Sequence, residues 1–186
     1  MMRLILASLA ALLLAGCASA PAPVAMTPVV FRSVESHFSI GGRLSARSGE
    51  EAIHGKFDWR HSPGQDQWDF YSPLGQIVAR VRRDGDMAVL LTAEGEEIAE
   101  PFSRLMQRVL GMDVPVEALP RWIQAGVAAS EVMRESDDLG RPLRVADEGW
   151  QIRYLAYADE TPDARPKTVE VARGSAVLRL VVDRWQ

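Results

Sequence analysis

Cys17 is the only cysteine in the chain, and it closes the quartet Leu14-Ala15-Gly16-Cys17. The small residues directly before this thiol follow a charged start, Met1-Met2-Arg3, and an apolar run over residues 4–14. That run is shorter than the ~20 apolar residues of a spanning helix and has the length of a secretory h-region. The pattern resembles a bacterial lipobox, in which the thiol is diacylated, the peptide before it is cut, and the new amino group is acylated in turn. An ordinary signal peptide cut after Ala18 or Ala20, discarding Cys17, is the alternative. On the lipobox reading residues 1–16 are a lipoprotein signal peptide. The mature chain then starts at Cys17, with diacylglycerol and an N-acyl lipid as its only attached groups.

The other residues able to do chemistry stand apart from one another. His37, His54 and His61 lack metal-ligand spacing, and no second cysteine is available to join them. His54 falls on the polar face of a strand, opposite Ile53 and Phe57, where a solvated ring is expected. The acidic pairs Glu50-Glu51, Glu96-Glu97 and Asp137-Asp138 flank turn-like sequence and read as solvated charges. No nucleophile elbow, phosphate-cradling glycine loop or zincin helix occurs. Gly41-Gly42 lies inside a strand pattern and reads as a bulge or a close backbone approach. The expectation is a protein that is not an enzyme and holds no metal. A triad assembled from distant residues is the competing possibility.

Removing residues 1–16 leaves 170 residues, and the loss of Arg3 moves the formal charge from −4 to −5. That length suits one domain with a real core. The acidic balance argues against nucleic acid, whose phosphates select basic surfaces. With a single cysteine no disulfide can form within the chain, so stability rests on burial, for which 47% hydrophobic residues are available. Residues 18–30 hold three prolines and no charge. Proline blocks helix and ladder alike, so this is a semi-extended linker reaching roughly 40 Å at ~3.1 Å per residue. Residues 17–35 are therefore read as lipidated N-terminus and linker, and 36–186 as one domain.

Within that domain, period-2 alternation marks strands over 37–47, 53–59, around Trp68 and Phe70, 76–82, 87–92 and 97–99. Turns are expected at Arg83-Asp84-Gly85-Asp86 and Glu94-Gly95. The period then changes. Phe102, Leu105, Met106, Val109 and Leu110 form one helical stripe that Gly111 ends. A second helical piece follows Pro115, carries Leu119, Trp122 and Ile123 on one side, and stops at Gly126. Pro120 either splits it or starts its second turn. Strands resume at 143–146, 150–157, around Val169 and Val171, and from Ala176 to the end. The class is mainly β with a helical insertion (α+β): about ten antiparallel strands in a sheet that closes on itself or leaves an open half-barrel.

Between two of these strands lies Ser72-Pro73-Leu74-Gly75. Serine first, proline second and glycine fourth suit a type I turn, which places Leu74 at a corner. Turns favour polar residues, so this leucine needs a reason. One reading folds Leu74 back onto the core; the other leaves it projecting.

The chain is similar to the LolB family, the outer-membrane lipoprotein receptors of the Lol pathway. The likeness runs through Ser72-Pro73-Leu74-Gly75-Gln76, Gly42-Arg43-Leu44, Phe57-Asp58-Trp59, Leu110-Gly111, Val114-Pro115-Val116, Trp122-Ile123, Gly149-Trp150 with Tyr154 and Tyr157, and Asp183-Arg184-Trp185. Each motif is weak alone; the ordered set together with the lipobox is specific. Residues 127–141 and Pro120 depart from the family pattern, which leaves their local geometry open.

The resemblance implies a LolA/LolB-like fold, an unclosed antiparallel β-barrel of about ten or eleven strands capped by short helices, with an apolar interior for acyl chains. It also implies the carrier LolA as partner, and delivery into the inner leaflet of the outer membrane. An acyl chain of ~15 methylenes costs roughly 12 kcal/mol to hold in water, so a shielding cavity is needed. Phe57, Trp59, Ile152 and Tyr154 on inward faces, lidded by Leu105, Met106, Trp122 and Ile123, are the residues that could line it. A simply filled core is the alternative for each of them. Leu74, with Pro73 and Gly75 shaping its turn, matches the protruding loop leucine that the family uses at the membrane. Ala18 lacks the aspartate that retains lipoproteins in the inner membrane, so the implied location is the periplasmic side of the outer membrane. A monomer is expected. A lipocalin-like lipoprotein storing a free hydrophobic ligand, and a passive scaffold with a filled core, are the rivals.

Overall fold

The computed structural model describes residues 33–95, 97–126 and 132–186. Cys17, the signal peptide and the linker up to residue 32 lie outside the described residues. Eleven strands form one sheet: β1 (Phe38–Ser48), β2 (Glu51–Ser62), β3 (Gln65–Tyr71), β4 (Ile77–Asp84), β5 (Met87–Thr92), β6 (Glu97–Pro101), β7 (Val132–Ser136), β8 (Pro142–Asp147), β9 (Trp150–Tyr157), β10 (Pro166–Arg173) and β11 (Ala176–Trp185). The spatial order is β6-β5-β4-β3-β2-β1-β11-β10-β9-β8-β7. Every neighbouring pair is antiparallel, and the last strand returns to pair with the first. The order runs from β6 to β7 without closing, as an unclosed barrel requires.

Alternation decides which face each strand buries. Leu44 and Ala46 of β1, Phe57 and Trp59 of β2, Trp68 and Phe70 of β3, Ile152 and Tyr154 of β9, and Leu178, Leu180 and Val182 of β11 join one continuous cluster. The polar positions between them face outward. On that outer side two carboxylates are nevertheless buried, Asp69 of β3 at 3% exposure and Glu170 of β10 at 2%. Asp69 pairs with Arg80 of β4. Glu170 stands between Arg153 of β9 and Arg179 of β11, and both guanidinium groups donate to it. Burial alone would raise the Glu170 carboxyl, but the hydrogen bonds from Arg153 and Arg179 outweigh it and hold the pKa below the usual carboxylate value.

The register between β1 and β11 shifts at Gly41/Gly42. A Cβ on Gly42 would stand 2.0 Å from the Val181 carbonyl oxygen, a backbone clash that only glycine avoids. The doublet is thus both a bulge and a close approach.

Helix α1 (Phe102–Leu110) follows β6 directly and turns Phe102, Leu105, Met106 and Leu110 into the core; Gly111 ends it with φ 66°. Helix α2 (Leu119–Trp122) is only four residues long, with Pro120 in its first turn. The periodicity had suggested a piece reaching Gly126. Instead, turn hydrogen bonds from Gln124, Ala125 and Gly126 close the segment, and Ala125 adopts φ 56°. Pro120 therefore starts this helix and does not split it. Strand β7 lies in the stretch 127–141 that departs from the family pattern, and no alternation announced it.

Candidate functional site: an exposed leucine turn and an apolar interior under a helical lid

The turn between β3 and β4 is closed by its own backbone. Gly75 donates to the Ser72 carbonyl at 2.9 Å, Ser72 donates to the Gln76 carbonyl at 2.8 Å, and the Gln76 N–H reaches the Ser72 hydroxyl at 3.3 Å. Gly75 takes φ 85°, open to glycine at little cost. Pro73 has no N–H to satisfy. Leu74 is 88% exposed, so it projects and does not fold back. Ile77 and Val78 follow it, exposed at about half that level. No charged residue occurs from Ser72 to Ala79. Because neighbouring strands alternate in direction, the β1–β2 and β5–β6 turns lie at the same end, and they carry exposed Glu50, Glu51 and Glu94.

Below this tip, Tyr71 donates to Asp58 at 2.8 Å, and that hydrogen bond raises the phenol pKa. Arg80 donates to Asp69 on the neighbouring strand. The uncharged tip thus ends abruptly at a layer of paired polar side chains.

The eight residues predicted to line a cavity are brought together. Phe57, Trp59, Leu105, Met106, Trp122, Ile123, Ile152 and Tyr154 all belong to the single core cluster, and each is between 0 and 3% exposed. Trp59 stacks on Trp68 at 4.2 Å, and Phe57 lies 5.5 Å from the same indole. Each of the eight side chains is shielded from solvent by the others and by the rest of the cluster. An open groove of about 620 Å³ runs along the outer face of β4–β6 past Met87, Val89 and Leu91, and none of the eight residues lines it.

Two buried aspartates organise the polar contacts of this interior, and neither had a sequence signal, because each is a lone acid in a strand. Asp66 of β3 accepts from the Trp59 indole at 2.7 Å, from His61 Nδ1 at 2.8 Å, and from Arg83 at 3.3 Å. Arg83 also binds Glu117 at 2.8 Å, and its guanidinium lies 4.8 Å from the Phe102 ring centre. Asp147 of β8 accepts from the Trp122 indole and from Arg121, each at 3.0 Å. The Tyr154 hydroxyl donates to the Trp122 carbonyl at 3.0 Å. Through Arg83 on one side and Asp147 on the other, the helical insertion is fastened across the concave face. The Gln124 side chain adds a clasp to the start of the domain, exchanging hydrogen bonds with the Glu35 backbone at 2.9 and 3.0 Å.

Some expectations need correcting. Asp137 is no solvated charge: it accepts from the Leu139 and Arg141 backbone amides and is paired with the Arg141 side chain at 2.6 Å. His61, which carried no sequence expectation beyond its lack of metal spacing, is tied to Asp66. His54 is exposed on the outer face. Among the described residues, no group of three or more His, Cys, Asp or Glu is placed to hold a metal ion.

The geometry has relatives. The family model described as "Outer membrane lipoprotein LolB" matches residues 36–185. An outer-membrane lipoprotein LolB of Azoarcus sp. (strain BH72) is 42% identical over 182 residues, 97% of this chain and 93% of that one. The LolB of Thiobacillus denitrificans is 38% identical over 193 residues, covering 100% of this chain and 98% of that one. Among solved structures, a LolA superfamily protein of Nitrosomonas europaea superposes with a TM-score of 0.50 over 84% of this chain and 88% of its own, at 8% identity. A DUF1329 family protein of Desulfovibrio piger gives 0.52 over 81% and 85%, at 10% identity. Those two likenesses concern the fold alone, whereas the sequence relationship spans nearly the whole chain: this protein belongs to the outer-membrane lipoprotein LolB family.

Proposed function

We propose that this chain is a membrane-anchored receptor that accepts lipoproteins from a LolA-type periplasmic carrier, shields their acyl chains inside the half-barrel, and inserts them into the outer membrane from its periplasmic side. Lipid on Cys17 anchors it. The observation that carries the reading is Leu74: a large apolar side chain, 88% exposed, at the apex of a turn in which the Ser72, Gly75 and Gln76 N–H groups are bonded within the turn and Pro73 has none to satisfy. A segment entering lipid must satisfy its own hydrogen bonds, since unpaired backbone groups there cost several kcal/mol each. Burying one leucine yields only ~1.5–3 kcal/mol, a weak contact when alone. Tethered by acyl chains, the turn works at high effective concentration, and weakness suits a contact that must reverse each cycle.

Cargo enters by lifting the lid. The eight interior residues must part to admit chains, and the contacts that yield are those between insertion and sheet: Arg83–Glu117, Trp122–Asp147 and Tyr154–Trp122. The apolar surface this exposes is covered again by the incoming acyl chains, so opening and loading compensate each other.

The direct test is transfer. A lipoprotein bound to a LolA-type carrier is mixed with this protein, the two are separated, and the cargo is located. Cargo moving to this protein, and from it to vesicles, is the expected result. Cargo that stays on the carrier while a free fatty acid binds readily would contradict receptor function and favour ligand storage.

A further inference from the structure

The indoles of Trp59, Trp68, Trp122 and Trp150 are all buried, and two of them give their N–H to a buried aspartate. Trp59 gives its N–H to Asp66 and Trp122 gives its N–H to Asp147. Trp68 is equally buried, at 2% exposure, yet its Nε1 has no hydrogen-bond partner among the described residues. A buried N–H without an acceptor is rare in a folded protein, because its lost hydration is not replaced. Asp66, on the same face of β3, does not take it; its oxygens accept from Trp59, His61 and Arg83. The rings around Trp68 offer no acceptor either. Trp59 stacks at 4.2 Å, Phe57 lies at 5.5 Å and Phe70 at 5.9 Å. A second unpaired indole, Trp185, is only half-buried at the sheet end, beneath Arg165.

We infer that the Trp68 indole N–H is the hydrogen-bond donor for a neutral acyl carbonyl of the cargo. Resting on the receptor reading above, this names the chemistry the interior selects. An acyl chain joined through an ester or amide ends in a carbonyl that accepts one hydrogen bond and brings no charge. A free fatty acid ends in a carboxylate, which would need a cation. The inward-facing cation of this region, Arg83, is already engaged with Asp66 and Glu117. Trp68 therefore favours acyl groups still covalently attached to something, as they are in a lipoprotein, over free acids. The stacked rings fix the indole plane, so the donor is oriented before cargo arrives.

The test compares methyl laurate, tridecane and laurate as probes. The protein is the full chain carrying Cys17→Ala, which has no thiol to acylate and leaves every described contact intact. Methyl laurate is expected to bind at least tenfold more tightly than tridecane, about 1.4 kcal/mol, and more tightly than laurate. Trp68→Phe keeps an aromatic ring in the stack and should erase the preference for ester over alkane, read as the ratio of the two affinities in the same protein. Equal binding of ester and alkane to the wild type, or a preference that survives in Trp68→Phe, overturns the inference and leaves the acyl-binding interior standing. Failure of all three probes to bind overturns the interior reading and this inference with it. Should Trp68→Phe not fold, the infrared band of a ¹³C-carbonyl ester bound to the wild type decides: a hydrogen-bonded carbonyl shifts to lower wavenumber, and a band unchanged from dry alkane contradicts the donor role.

Discussion

The leucine turn and the aromatic interior are made of the same kind of residue and are treated in opposite ways. Leu74 is almost fully exposed, and its neighbours Ile77 and Val78 stay partly so, while the eight interior residues are closed off to 3% or less. In the interior, burial serves stability and, on the proposed function, acyl-chain binding as well. At the tip, exposure runs against the hydrophobic effect and contributes nothing to folding. The two regions are therefore separable by mutation, and cutting one should leave the other's property untouched.

The largest effect on stability belongs to the interior. Leu105→Ala and Ile152→Ala, at residues with 0% exposure, should each lower unfolding free energy by about 2–5 kcal/mol. Denaturant midpoints would show it, whereas Leu74→Ala should stay within about 0.5 kcal/mol of wild type. A large loss at Leu74 would erase the contrast, because it would mean the side chain packs.

An intermediate effect falls on the contacts between lid and sheet. Asp147→Ala strands the Trp122 indole and removes a partner of Arg121, which should cost about 1–3 kcal/mol. Hydrogen exchange of the α1 and α2 amides should quicken while the amides of β1 and β11 stay protected. Uniform loss of protection would show that insertion and sheet open as one unit.

How much of this could be read from the residues alone depends on whether their signal was local. Alternation in Trp150-Gln151-Ile152-Arg153-Tyr154 and the stripe from Phe102 to Leu110 gave β9 and α1 with their buried faces. The Ser72–Gly75 turn was equally legible, because serine, proline and glycine each act through their own backbone. Whether Leu74 pointed in or out was not legible, since that depends on what lies beneath it. Asp66 and Asp147 escaped for a similar reason: their donors come from other elements, and Trp122 is 25 residues from its acceptor in the chain. Glu170 was hidden because its burial is produced by arginines on two neighbouring strands. The short helix α2 was over-read because Leu119, Trp122 and Ile123 fit a helical stripe that turns can also satisfy.

The smallest effect is a pH dependence on the outer face, across the sheet from the interior. With its pKa lowered in the fold, Glu170 contributes stability that is present above its unfolded value of about 4.3 and is lost as pH falls through the folded value. Glu170→Gln should flatten that acid limb of the stability curve while leaving vesicle transfer at neutral pH unchanged. An unchanged acid limb would show that the arginine pair does not hold the carboxylate in its charged form.

The contrast is tested most directly by loading Leu74→Glu with cargo and following delivery to neutral phospholipid vesicles. The mutant should fold, accept lipoprotein from the carrier at the wild-type rate, and retain it, with delivery reduced at least tenfold. Delivery equal to wild type would contradict the assignment of the exposed leucine turn as the membrane contact.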